Sequence, residues 1–443
     1  MRLMTPVLAI VLLSTLAAHA EPPPSLNIYD SDPAHLWNRL HGVLRVRETA
    51  RDGFVGVDSV DPILWSNTKH LLEGEGYLRA VEVLDEFATK RGERLIDDPL
   101  KRAILQRDLW AIFDWTCGRD GHQRGEYAKE RAALQTRLAT AIRRLALTRE
   151  QIDRLPNTYA AAVASGRFAK APDAANPASP FLPPDLLDPT GPWLDLFRSG
   201  EGIVASLHVR SFDARSTFNA FLRHPNGREG GIAYLKQLSE FPEPYIPAKD
   251  ERGRQQLNLN PKLPQFPAGT QIALLRRAML IDADGKLAPT NLVETIQFRV
   301  YLIDPAAAKG KREEQSFHEF NFTRRDLFAD AGRAIHAVGP DETDILHVQF
   351  AGHGIDWIEA PLNRPDEIRR LKAPVINACF SCHGRAGIFS VNAYTRFFGP
   401  QTFSPSLGEG GPEMQFVNTE VLKRERFDFG LLQGLMRTAE RGD

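Results

Sequence analysis

The sequence predicts an α+β fold in three parts: an N-terminal helical region, a central antiparallel β-rich region and a mostly helical C-terminal segment. Three observations predict it. Apolar residues recur at helical spacing through residues 30–165. They alternate at period two through much of 193–350, the pattern of strands with one buried face. Between the two lies residues 169–192, dense in proline with several Ala and Asp, where regular structure is excluded.

The 443 residues are 42% hydrophobic and 25% charged, with a formal net charge of −1. That is the composition of a globular chain long enough for two or three domains. The near-neutral charge argues against a nucleic-acid partner. The expected division is a leader at 1–20, a helical domain at 21–168, a linker at 169–192, a β-rich domain at 193–350 and a final segment at 351–443.

Taken in order, Arg2 opens a short positive start, residues 7–18 form an apolar run, and Ala18-His19-Ala20 is a small-x-small cleavage pattern. The run is shorter than the about 20 apolar residues of a spanning helix. The expectation is a removed secretory signal, a mature chain from Glu21, a soluble periplasmic or otherwise extracytoplasmic location and no integral membrane span. An uncleaved anchor is the alternative reading.

Asp32-Pro33 is expected to cap a first helix carrying Leu36, Leu40 and Leu44. Pro99 opens a second, with Ile104, Leu105, Leu109, Ile112 and Phe113 on its apolar stripe and Trp110 and Trp115 in the core. A third helix spans about 127–147, and Thr148 with Gln151 forms a capping box for another. Cys117 reads as a buried small hydrophobe.

In the central region Ile203, Ala205, Leu207 and Val209 alternate with Val204, Ser206, His208 and Arg210, which predicts a strand. Ile296, Phe298, Val300 and Leu302 alternate with Gln297, Arg299 and Tyr301, and Phe320 and Phe322 flank Asn321. Asp284-Gly285 suits a hairpin turn after Met279-Leu280-Ile281. A Pro-rich loop is expected at 242–267 and another strand at 345–350. The sum is a mainly antiparallel sheet, open or in a sandwich. Asp213, Arg215 and Arg210 read as a solvated charged rim. Asp282, Asp284 and Gly285 lack the ligand set of a calcium loop.

In the last segment, residues 365–371 suit a short helix, and Pro374 separates it from Cys379-Phe380-Ser381-Cys382-His383. This is C-x-x-C-H, the attachment signature of c-type haem. Two thiols one helical turn apart can add to the two vinyl groups of one haem, and the adjacent imidazole can take the iron as its first axial ligand. A zinc reading needs a fourth ligand, and adjacent Cys and His share a tetrahedron awkwardly. An aromatic stretch (Phe389, Tyr394, Phe397, Phe398), a Gly/Pro/Ser loop at 399–412 and helices at 416–424 and 427–437 follow.

On these residues the final 70 or so positions resemble the c-type cytochromes, with Gly384 completing their C-x-x-C-H-G start. The resemblance implies one covalent haem c, thioether bonds at Cys379 and Cys382, His383 as proximal ligand, and a downstream Met as the second. Met414, in a Gly/Pro loop before a helix, holds that place, so the expected metal ligands are His383 and Met414. His353, between Gly352 and Gly354, and Met436, in the last helix, are the alternatives, as is an open position. The implied role is one-electron transfer with a redox partner protein. A haem oxidase or peroxidase with a substrate site in the N-terminal domains, or a non-catalytic haem sensor, are the rival classes. Two protein ligands leave only electron transfer, whereas an open position admits peroxide or small gases.

Overall fold

The computed structural model describes residues 26–49, 53–59, 69–118, 127–197, 203–243, 245–249, 251–303, 314–342, 374–384, 387–391, 404–405 and 411–440. The leader at 1–20, His353, the strand at 345–350, the helix at 365–371 and the aromatics Tyr394, Phe397 and Phe398 lie outside the described residues.

The fold is α+β, with helices at both ends of the chain and an antiparallel sheet between them. The N-terminal part contains α1 (Leu36–Arg45), a small hairpin of β1 (Arg47–Thr49) and β2 (Gly53–Val55), then α2 (Gly74–Thr89), α3 (Pro99–Thr116), α4 (Ala128–Leu145), α5 (Arg149–Asp153) and α6 (Thr158–Ala164). Helix α3 starts where its proline predicts, with the Asp98 side chain accepting from the Leu100 and Lys101 amides. The Thr148–Gln151 capping box forms in both directions at α5. At α1 the cap is His35 instead of Asp32. The Asp32 carboxylate accepts from the Ala34 amide and shapes the turn before the helix.

Helix α3 is buried on all sides, not on one stripe. Trp110 is inaccessible, and so are the charges on the other faces, which have found partners. Arg107 donates to Glu294 and Ser216, Asp108 pairs with Arg324, and Asp114 accepts from Arg215 and Lys423, both at 2.6 Å. Arg215 and Asp213 are therefore members of a buried ion network with Asp114, Lys423, Asp428 and Arg426, not the solvated rim expected from sequence. Only Arg210 of that group is exposed. Cys117, at the end of α3, is buried as expected, and its thiol is pushed up to about 12 by burial.

Residues 169–192 carry no helix or strand, only an isolated bridge between Ala169 and Phe181. Their apolar side chains are nonetheless core: Phe181, Leu182 and Leu186 are buried beside α6.

The rest of the chain builds β3 (Trp193–Phe197), α7 (Ser206–Ser211), β4 (Ser216–Arg223), α8 (Gly227–Ser239), β5 (Tyr245–Lys249), β6 (Gln255–Leu259), β7 (Gln271–Ile281), β8 (Leu287–Tyr301), β9 (Gln315–Phe322), α9 (Arg324–Ala329) and β10 (Ile335–Ala337). After these come α10 (Val375–His383), α11 (Ile388–Val391), β11 (Ser404–Pro405), α12 (Gly411–Arg424) and α13 (Phe427–Glu440). One sheet of seven strands runs β10-β9-β8-β7-β4-β3-β11, antiparallel at every pairing. The β7–β8 turn falls at Asp284-Gly285, with Gly285 at φ 76°. Asp282 accepts from the Asp284 and Lys286 amides, so its carboxylate shapes the turn. Strands β5 and β6 form a separate hairpin inside the stretch expected to be a loop.

The strand expected at 203–210 is a correction. The chain there is helix α7, entered through Ala205 at φ 53° and left through Asp213 and Ala214 at φ 52° and 55°. Six residues make barely two turns, too short for a helical period to show against accidental alternation.

The largest core joins α1–α4 to Met279, Ile281 and Leu287 at the β7–β8 end and to Phe429, Leu432 and Met436 of α13. Two further cores lie on opposite faces of the sheet. One buries Trp193, Phe221, Leu275, Ile296, Phe298 and Phe320 under α6 and the Pro-rich segment. The other packs α8 against Leu194, Leu222, Ile272 and Tyr301.

Candidate haem-attachment site

Helix α10 carries the whole C-x-x-C-H motif. Pro374 is its N-cap, and the Val375 amide donates back to the Glu342 carbonyl. Val375 and Ile376 bury against Val338 and Phe317 of β9. Cys379 and His383 are then four residues apart on one helical face, with Cys382 in the same turn of the chain. Gly384 ends the helix, and a side chain there would collide with the Phe380 carbonyl, whose oxygen stands 2.7 Å from where its Cβ would be.

The helix lies on the polar face of β8 and β9. The Cys379 thiol donates to the Glu319 carboxylate at 3.7 Å, and Gln297 Nε2 reaches its sulfur at 4.0 Å. Gln315 Nε2 donates to the His383 carbonyl at 2.9 Å. Helix α11, after the motif, is tied to the same face: Ser390 Oγ lies 2.9 Å from Arg299 Nη1 and 2.6 Å from the Tyr301 hydroxyl. These contacts are register-determined, because Gln297 stands opposite Glu319, Arg299 opposite Phe317 and Tyr301 opposite Gln315.

His383 is oriented by a backbone contact. Its Nδ1 lies 2.9 Å from the Ser390 carbonyl, which cannot donate, so the proton sits on Nδ1 and the lone pair on Nε2. Orientation of this kind by a backbone carbonyl is how metal-binding imidazoles are held. Burial, with help from Arg299 and His208, pushes its pKa down to about 3 and keeps the ring neutral, as ligation requires. The donor set suits a c-type haem: a half-buried thiol and a neutral, oriented imidazole share one helical face. Among the described residues, no three His, Cys, Asp or Glu side chains gather into a site for a bare metal ion.

A residue that the sequence reading had placed on a strand also arrives here. His208 of α7 lies with its ring 9° from parallel to His383 and 6.1 Å away between centroids. It also lies 5.6 Å from Phe218 of β4 between ring centroids. No motif marks His208, and only the path of the chain brings it to His383.

The expected second ligands fare differently. Met436 is core, 4% exposed among the N-terminal helices. Met414 lies within the first turn of α12, not in the loop before it. His353 is outside the described residues.

No protein-family model, no curated protein and no solved structure matches this chain. No helix among the described residues is long and apolar enough to cross a membrane.

Proposed function

We propose that this protein is an exported monohaem c-type cytochrome-like protein that transfers single electrons to or from a partner protein outside the cytoplasm. Cys379 and Cys382 would hold the haem through thioether bonds, and His383 would be its proximal ligand. When bound, the haem supplies a one-electron couple; the chain supplies attachment, orientation and shielding. The observation that carries this reading is the His383 ring, fixed by the Ser390 carbonyl with its lone pair on Nε2, within the helix that presents Cys379. Export is supported by the leader pattern at residues 1–20.

Acid-acetone extraction followed by intact-mass measurement of the mature protein tests the reading. The expected result is one haem retained on a chain beginning at Glu21, and its loss or sharp reduction in Cys379→Ala or Cys382→Ala. Haem that leaves on extraction overturns it. Optical spectra of the reduced protein with carbon monoxide separate the carrier from the oxidase or peroxidase: a carrier does not bind the gas.

A further inference from the structure

We propose that His208 is the second axial ligand of the haem, so that the iron is held between His208 and His383; this rests on the haem reading above.

The first support is ring geometry. Two imidazoles that share one metal ion end to end place their centres about 6 Å apart, twice the sum of a metal–nitrogen bond of about 2 Å and the roughly 1 Å from nitrogen to ring centre. The His208 and His383 centroids are 6.1 Å apart and their planes differ by 9°.

The second support is placement on the sheet. Antiparallel register puts Gln297 opposite Leu274, and Leu274 opposite Ala220. Phe218, two residues before Ala220, therefore lies on the same face, which is the face that holds Cys379 and Ser390. Phe218 and Leu274 pack with Val209 and Phe212, so α7 sits across this face beside the motif helix. The surface there is apolar between polar anchors, as a haem requires.

The third support is rigidity. Val209, adjacent to His208, is fully buried. The Val209 amide donates to the Ala205 carbonyl at 3.0 Å, and the Ala214 amide donates to the Val209 carbonyl at 2.9 Å. Both ends of α7 pass through left-handed residues that are not glycine, a conformation that surrounding packing must enforce. Such a short helix fixes one side chain well, and His208 Nε2 is shielded from solvent.

Two neutral nitrogen ligands would saturate the iron and give a lower reduction potential than a thioether on the same scaffold. The site would then transfer electrons and bind no small ligand.

The test uses full-length holoprotein and the variants His208→Ala, His208→Met and Met414→Ala, each first checked for covalent haem by mass. Wild type should be six-coordinate and low-spin, lack the near-infrared band of thioether ligation and ignore carbon monoxide. His208→Ala should keep its haem, lose the low-spin signature and bind carbon monoxide. His208→Met should gain the thioether band and a higher potential, and Met414→Ala should match wild type. Retained haem with an unchanged spectrum in His208→Ala overturns the proposal. So does a wild-type thioether band that vanishes in Met414→Ala. If His208→Ala fails to accumulate, the wild-type band and His208→Met still decide between the ligands. Wild type without covalent haem fails the haem reading itself, a result distinct from all of these.

Discussion

Along β8 and β9 the two faces of the seven-stranded sheet are made from the same strands by alternate residues, and they do opposite work. In β8, Ile296, Phe298 and Val300 point into an apolar core closed by α6 and the Pro-rich segment. Gln297, Arg299 and Tyr301 point the other way and, with Gln315 and Glu319 of β9, hold the C-x-x-C-H helix and α11 behind it. An apolar face accepts any cover of fitting shape. A buried polar face must be matched group by group, because each unmet donor or acceptor costs about 1–3 kcal/mol. The polar face therefore specifies its occupant, and the apolar face supplies the stability that permits it.

Substitutions on β8 can break this division. The largest effect is expected from Phe298→Ala, which removes a fully buried ring from the apolar face. Urea unfolding should show a loss of about 3–5 kcal/mol, with the optical spectrum of the folded holoprotein unchanged. A spectral change would mean that the faces are not independent. One position on, Arg299→Ala should cost about 1.5–3 kcal/mol through its lost bond to Ser390. Hydrogen exchange should show the amides of Val375–His383 losing protection, and full protection there would deny the polar face its role.

A pH test sharpens the comparison at a polar exception on the apolar face. Asp195 of β3 is half-buried, and desolvation raises its carboxyl from the ordinary 3.8 to about 7 despite Arg277 and Asn219. Below pH 3.8 both folded and unfolded chains are protonated there, and the contribution to stability is whole. As pH rises towards about 7 the unfolded chain ionises first, so stability falls through that window and levels off above it. Unfolding measured across this range should be flatter in Asp195→Asn than in wild type. An identical slope in both would place the carboxylate in water.

Much of this was legible in the sequence. The alternation in β8 is long enough to be unambiguous, and it named both faces. Pro99, the Thr148 box and the Asp284-Gly285 turn worked because each acts within a few residues. Cys379, Cys382 and His383 are one helical turn of chemistry and carry their own spacing. The failures involve distance or brevity. Asp213, Arg215 and Lys423 look like surface charges until helices remote in sequence bury them together. Helix α7 presents apolar residues at every second position by accident, and its His208 meets His383 only through the fold. No local rule links residues whose shared environment is made by a sheet.

Helix α13 and the end of α12 have a consequence for synthesis. Phe429 packs 6.3 Å from Trp110, Lys423 lies 5.2 Å over the same indole, and Lys423 reaches Asp114 across 309 residues. Helix α3 thus waits for residues 309 positions later before its core is complete. Until then Trp110 lacks its cover, and the Asp114 carboxylate lacks the ammonium that offsets its burial. Contacts this distant close slowly. A chain halted before residue 420 keeps an open apolar seam, which proteases and holding chaperones recognise. Arrival of α12 and α13 therefore seals a core whose first helices were made some 300 residues earlier.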